Sequence, residues 1–155
     1  MENLFRDTSV MNLLVKASSI EHTSVWKKVF SEDEFDQFIM NLIKIKQLEE
    51  QGIDETGNVI GYYSYFTELL NPRKKAGTHY TLHDTGAFFK SMKVDIESDS
   101  FIIDANPLKT DETGTETNLF EKYGEGIIGL SEDSKDILVE EIKERYAIEI
   151  RRLLQ

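Results

Sequence analysis

The sequence predicts an α+β fold: a long helix in the N-terminal half and a C-terminal helix, packed on a small antiparallel β-sheet. Three observations carry that expectation. Apolar residues recur at helical spacing from Phe35 to Leu48. They do so again from Ile137 to Leu153. Between these stretches, Met92, Val94 and Ile96 alternate with charged residues, and Phe101-Ile102-Ile103 follows after the turn Ser98-Asp99-Ser100, the pattern of a hairpin with one buried face.

The 155 residues suit one domain, since a chain of that length buries roughly 70% of its unfolded surface. Residues 1–30 are expected as an N-terminal arm or short helix, and residues 31–155 as a single α+β domain. In the first part, Leu4, Phe5, Val10, Leu13 and Leu14 allow an amphipathic helix from Thr8 to Ala17. Ser18, Ser19, His22, Thr23 and Ser24 have the composition of a connection.

A helix is expected over 31–51. Ser31 and Glu34 have capping-box spacing, and Phe30 and Phe35 flank them at staple positions. Glu32, Asp33 and Glu34 place negative charge in the first turn, where the helix dipole favours it. Gly52 follows as a C-cap. Asp54 to Asn58 is turn chemistry, and Val59, Ile60, Tyr62, Tyr63, Tyr65 and Phe66 suit a strand or extended segment. Asn71-Pro72 breaks the chain, and Arg73-Lys74-Lys75 has the character of a solvated loop.

Asp84 or Thr85 is expected to cap a short helical turn through Ala87, Phe88 and Phe89. After the hairpin, Asn106-Pro107 stops the strand, and residues 109–118 read as a mobile polar loop. The repeated Asp-Glu-Thr-Gly at 54–57 and 111–114 has different flanks and marks two turns. Ser131 or Ser134 caps the last helix. Its apolar stripe is Ile137, Leu138, Ile142, Tyr146, Ile150 and Leu153, and Glu141 and Arg145 are spaced for an ion pair. The expected packing residues are Phe35, Phe38, Ile39, Leu42, Leu82, Phe88, Val94, Ile103, Ile142 and Tyr146.

Composition removes several classes of function. The 9 Phe, 6 Tyr and 1 Trp exclude a disordered chain. No apolar run reaches the roughly 18 residues of a membrane helix. There is no cysteine, so disulfides, thiolate zinc sites and cysteine nucleophiles are excluded. Residues 1–7 show no basic stretch leading into an apolar one, so no secretory signal is expected. A net charge of -11 is repelled by phosphate backbones and anionic membranes.

Several strings resemble chemical motifs. Asp84-Thr85-Gly86-Ala87 matches the loop with which an aspartic protease brings one carboxylate from each of two copies to a shared proton. Gly126-Ile127-Ile128-Gly129 imitates a later segment of such enzymes. However, His83 replaces the apolar entry strand, and the chain is too helical. Gly124 to Gly129 fits GxGxxG, yet no βαβ unit surrounds it and Glu125 would repel a pyrophosphate, so a turn into the last helix is expected. His79 and His83 share a face of an extended segment but stand too far apart for a tetrahedral site. Asp111, Glu112 and Glu116 lack calcium-loop spacing. No metal site, cofactor or catalytic residue is expected.

The order of features also carries a resemblance. It runs from Gln47-Leu48 through Gly52-Ile53-Asp54, Gly57-Asn58-Val59-Ile60-Gly61 and Tyr63-Ser64 to Thr67. Tyr80-Thr81-Leu82 and Asp84-Thr85-Gly86-Ala87-Phe88-Phe89-Lys90-Ser91-Met92-Lys93-Val94 follow, then Tyr123-Gly124 and Ile128-Gly129-Leu130. Over residues 26–154 this resembles the head–tail joining and tail-completion (neck) proteins of tailed phages. The resemblance implies an α+β fold without catalysis. It implies a virion structural protein, made in the host cytoplasm, that forms a homo-oligomeric ring in the neck or tail. Its partners would be other copies and the portal or other connector and tail proteins. DNA would at most pass through a lumen without specific binding, and no membrane is involved. Tyr62, Tyr63, Tyr65, Phe66, Arg73, Lys74 and Lys75 are the candidate contact surface, since aromatic residues favour interface cores, and the aromatic stretch among them suits the protein's own core equally. A dimeric aspartic protease using Asp84 and an acidic adaptor protein are the alternatives.

Overall fold

The computed structural model describes residues 9–31, 33–97, 100–110 and 114–155, and the fold is α+β. Helix α1 spans Ser9–Ser18, one residue on from the expected segment; Leu4, Phe5 and Thr8 lie outside the described residues. The supposed connection over 18–24 is mostly helix. Helix α2 runs His22–Phe30, and Val25 and Val29, four apart, are each 1% exposed. Both helices of the expected arm pack against the C-terminal helix. Trp26 lies between Phe30 and Tyr146, with ring centroids at 5.8 and 4.5 Å.

Ser31 does not start the next helix as a capping box would. Its hydroxyl donates to the Lys28 carbonyl at 3.0 Å and closes α2. The staple does form, with the Phe30 and Phe35 rings 5.3 Å apart. Helix α3 spans Asp33–Asn41 and continues without a break as a π-helical segment, Leu42–Gln51. Gly52 ends it in the left-handed conformation, φ 64°, as a C-cap glycine does. A π-helix of ten residues is rare. It carries Gln47, which is wholly buried. The Gln47 amide donates to the Gly129 carbonyl at 2.9 Å and its Oε1 accepts from Ser131 N–H at 2.9 Å. A buried amide thus meets partners at both ends, as burial requires.

Asp54 Oδ1 accepts from the N–H groups of Thr56 and Asn58, the expected turn. The following stretch is no strand. It contributes single bridges at Val59 and Tyr62, and Tyr65 and Phe66 belong to helix α4, Tyr65–Leu70. Helix α5 is Ala87–Ser91. Strands β1 (Lys93–Ile96) and β2 (Phe101–Asp104) form the expected hairpin, with Val94 opposite Ile103. The polar segment 109–118 holds a second hairpin instead of a mobile loop. Strand β3 (Leu108–Thr110) pairs antiparallel with β4 (Glu116–Asn118), while 111–113 lie outside the described residues. The single small sheet expected is therefore two separate two-stranded ones.

Asn118 caps helix α6, Leu119–Tyr123, by accepting from the N–H groups of Phe120 and Glu121. Gly124 to Gly129 forms a 3₁₀ turn, as expected of that glycine pattern. Glu55 lies against it: its N–H donates to the Gly126 carbonyl at 2.9 Å, and a Cβ on Gly129 would meet Glu55 Oε2 at 2.2 Å. The notch a phosphate would need is filled by a carboxylate. Helix α7 spans Glu132–Leu154, capped by Ser131 rather than Ser134. The ten expected packing residues are all buried or half-buried. Met40, Ile43, Leu48, Phe89, Met92, Ala105, Leu119, Ile127, Leu130 and Leu138 are buried in the same core.

Candidate functional site

Residues 61–80 form an arm. Its two legs pair antiparallel: Tyr63 N–H donates to the Thr78 carbonyl, Gly77 N–H to Tyr63, and Tyr80 N–H to Gly61, at 2.8–2.9 Å. Between the legs sits α4. Ser64 Oγ accepts from Thr67 N–H at 3.1 Å, which caps it, and Asn71-Pro72 ends it. This helix buries none of its residues. Tyr65, Phe66, Leu69 and Leu70 are 75%, 67%, 67% and 71% exposed, and Tyr62 beside them is 59% exposed. Single exposed apolar residues are ordinary, but five together on twenty residues form the kind of patch that marks a contact site.

A basic turn follows. Glu68 holds it in place: its carboxylate accepts from Ala76 N–H and from the Lys75 ammonium, each at 2.9 Å. These bonds, the backbone one foremost, lower the Glu68 pKa. Arg73-Lys74-Lys75 is therefore not a loop of free cations. Lys75 is paired, and Lys74, half-buried, reaches Asp84 at 2.9 Å and lies 5.8 Å over the Tyr63 ring. The Arg73 guanidinium meets no carboxylate among the described residues.

Asp84 ties the arm to the body. Lys109 on β3 donates to its second oxygen at 2.5 Å. The hydrogen bonds of Lys109 and then Lys74 hold the Asp84 carboxyl well below the usual carboxylate range, at about 2. The expected role as a helix cap does not materialise. Gly86, in the left-handed conformation, stands at the start of α5, and the Thr85 hydroxyl accepts from Ala87 N–H at 3.3 Å. Leu82, just before, is the one non-glycine residue with positive φ among the described residues, at 54°.

The cleft beside Asp84 is lined by Tyr63, Lys74, Tyr80, Lys109 and Tyr123. Tyr80 bridges the Tyr63 and Tyr123 rings at 4.9 and 5.8 Å. The two histidines serve the same junction. His79 donates from Nε2 to the Glu49 carbonyl at 3.0 Å; His83 meets the Glu49 carboxylate at 2.6 Å and stacks on Phe89 at 4.8 Å. Among the described residues no three His, Asp or Glu side chains are grouped to hold a metal, and no helix is long and apolar enough to cross a membrane. Asp111 and Glu112 lie outside the described residues.

All seven residues expected as a contact surface lie on this one arm. Tyr62, Tyr65, Phe66, Arg73 and Lys75 are exposed on it, whereas Tyr63 and Lys74 face inward and anchor it. Leu69 and Leu70 were missed, although they stand three and four residues after Phe66, the spacing of one helical face. No protein-family model, curated protein or solved structure matches the chain.

Proposed function

We propose that this chain is a non-catalytic structural protein of a tailed-phage virion. It works as a subunit of the head–tail connector, assembling in the neck or tail with copies of itself and with portal, connector or tail proteins. The observation that carries this reading is helix α4, a six-residue helix with a capped start and no buried side chain. A helix that short is not stable alone in water. Its apolar face gains stability only by meeting another surface, which suits a subunit built for assembly.

The environment of Asp84 supports a structural role over the protease alternative. In an aspartic-protease dyad the carboxylate oxygens face a twin carboxylate and share one proton with it. Here both oxygens of Asp84 are taken by ammonium groups, Oδ1 by Lys74 at 2.9 Å and Oδ2 by Lys109 at 2.5 Å. The net charge of -11 is compatible with a subunit facing duplex DNA without adhering to it. Electron microscopy of the purified chain tests the assembly. Closed rings support it, and monomers at every concentration contradict it.

A further inference from the structure

The arm has a complementary surface elsewhere on the same molecule. A shallow groove runs between α3 and α7. Phe38 and Ile137 supply apolar lining, and Asp136, Glu140, Glu141 and Glu144 surround them. Of these four carboxylates, Glu140 is paired with Lys143 at 2.7 Å and Glu141 with Arg145 at 2.6 Å. Asp136 and Glu144 have no ion-pair partner among the described residues. On the arm, Lys75 is paired with Glu68 and Lys74 with Asp84, which leaves Arg73 as the cation that meets no carboxylate among the described residues. Dimensions agree as well. The six residues of α4 rise about 9 Å, and the eight steps from Asp136 to Glu144 rise about 12 Å. Within one copy, α4 is exposed and does not occupy the groove.

We infer that α4 of one copy seats in the α3–α7 groove of the next. Tyr65, Phe66, Leu69 and Leu70 would cover Phe38 and Ile137, and Arg73 would meet the carboxylate of Glu144, beside the Glu140–Lys143 pair. This deepens the assembly reading and rests on it. The contact joins two different patches, so it is heterologous. Such contacts propagate from copy to copy and close into a ring where the rotation allows.

Mixing two variants tests the pairing. Phe66→Asp with Leu69→Asp spoils the arm and leaves the groove intact. Glu140→Lys with Glu144→Lys spoils the groove and leaves the arm intact. All four positions are exposed, and a thermal midpoint close to the parent's verifies that each variant is folded. By native mass spectrometry each variant alone should remain monomeric. An equimolar mixture should give a one-to-one heterodimer and nothing larger, because a single good interface remains. Two outcomes overturn the pairing while leaving assembly standing: groove variants that assemble like the parent, or a mixture that stays monomeric while the parent forms rings. A parent that never associates overturns both readings together.

Discussion

Lys74 and Asp84 join at 2.9 Å across ten residues of chain, and with Lys109 they fasten the arm to the second hairpin. The arm's foot is thus held by charge, while its tip carries apolar surface. Two lysines around one carboxylate balance the burial cost of all three better than either pair alone, since each cation satisfies a different oxygen.

Asp84→Asn should lower stability by about 1 kcal/mol at neutral pH, in the range of a partly exposed ion-pair network. The sign with pH is set by the lowered pKa of about 2. A depressed carboxylate stabilises the fold above its unfolded value, near 3.9, and that contribution is lost as pH falls through about 2. Denaturant titrations of parent and variant should therefore diverge at pH 7 and converge at about pH 2. A gap that persists in acid would assign the effect to packing.

Gln47→Leu should cost about 1–3 kcal/mol, because it leaves the buried Ser131 N–H and the half-buried Gly129 carbonyl without their partners. Urea unfolding measures this. Ser131→Ala, which removes the α7 cap and the buried bond from the Ser131 hydroxyl to Ser134 Oγ at 3.2 Å, should cost about 1–2 kcal/mol.

Gly52→Ala and Gly57→Ala separate two effects of glycine. Both have positive φ, 64° and 80°. An alanine Cβ at position 57 meets nothing within 4 Å, so its cost is the backbone strain alone, about 1 kcal/mol. At position 52 the Cβ falls 2.3 Å from the His79 ring, which must leave the Glu49 carbonyl to make room. Thermal unfolding should rank Gly52→Ala well below Gly57→Ala, and the reverse order would contradict the packing described.

Local chemistry made much of this fold legible. The α7 stripe, the first hairpin, the turn at Asp54 and the C-cap at Gly52 each rest on neighbours in sequence. Helix α2 was hidden by Ser18 and Ser19 before it and by Thr23 and Ser24 in its first turn, although Val25 and Val29 carried the helical spacing. Strands β3 and β4 contain Lys, Thr, Glu and Asn in place of the β-branched apolar runs that signal a strand. Aromatic residues in Tyr62–Phe66 favour extended chain by propensity, yet the Ser64 cap wins and starts α4. In the candidate site, the residues of the arm expected as a contact surface were visible as an aromatic and basic cluster. The ion pairs were not. Lys74, Asp84 and Lys109 are separated by ten and twenty-five residues, and only the fold brings them together.

The central claim is that the exposed face of α4 drives self-association. Phe66→Asp with Leu69→Asp should leave the fold within about 0.5 kcal/mol of the parent, since exposed substitutions away from buried contacts rarely do more. Sedimentation velocity over a wide concentration range decides the matter. The parent should sediment faster as concentration rises, and the variant should remain at the 17.9 kDa of one chain throughout. A parent that sediments as a single chain at every concentration, or a variant that assembles alongside it, would contradict the account.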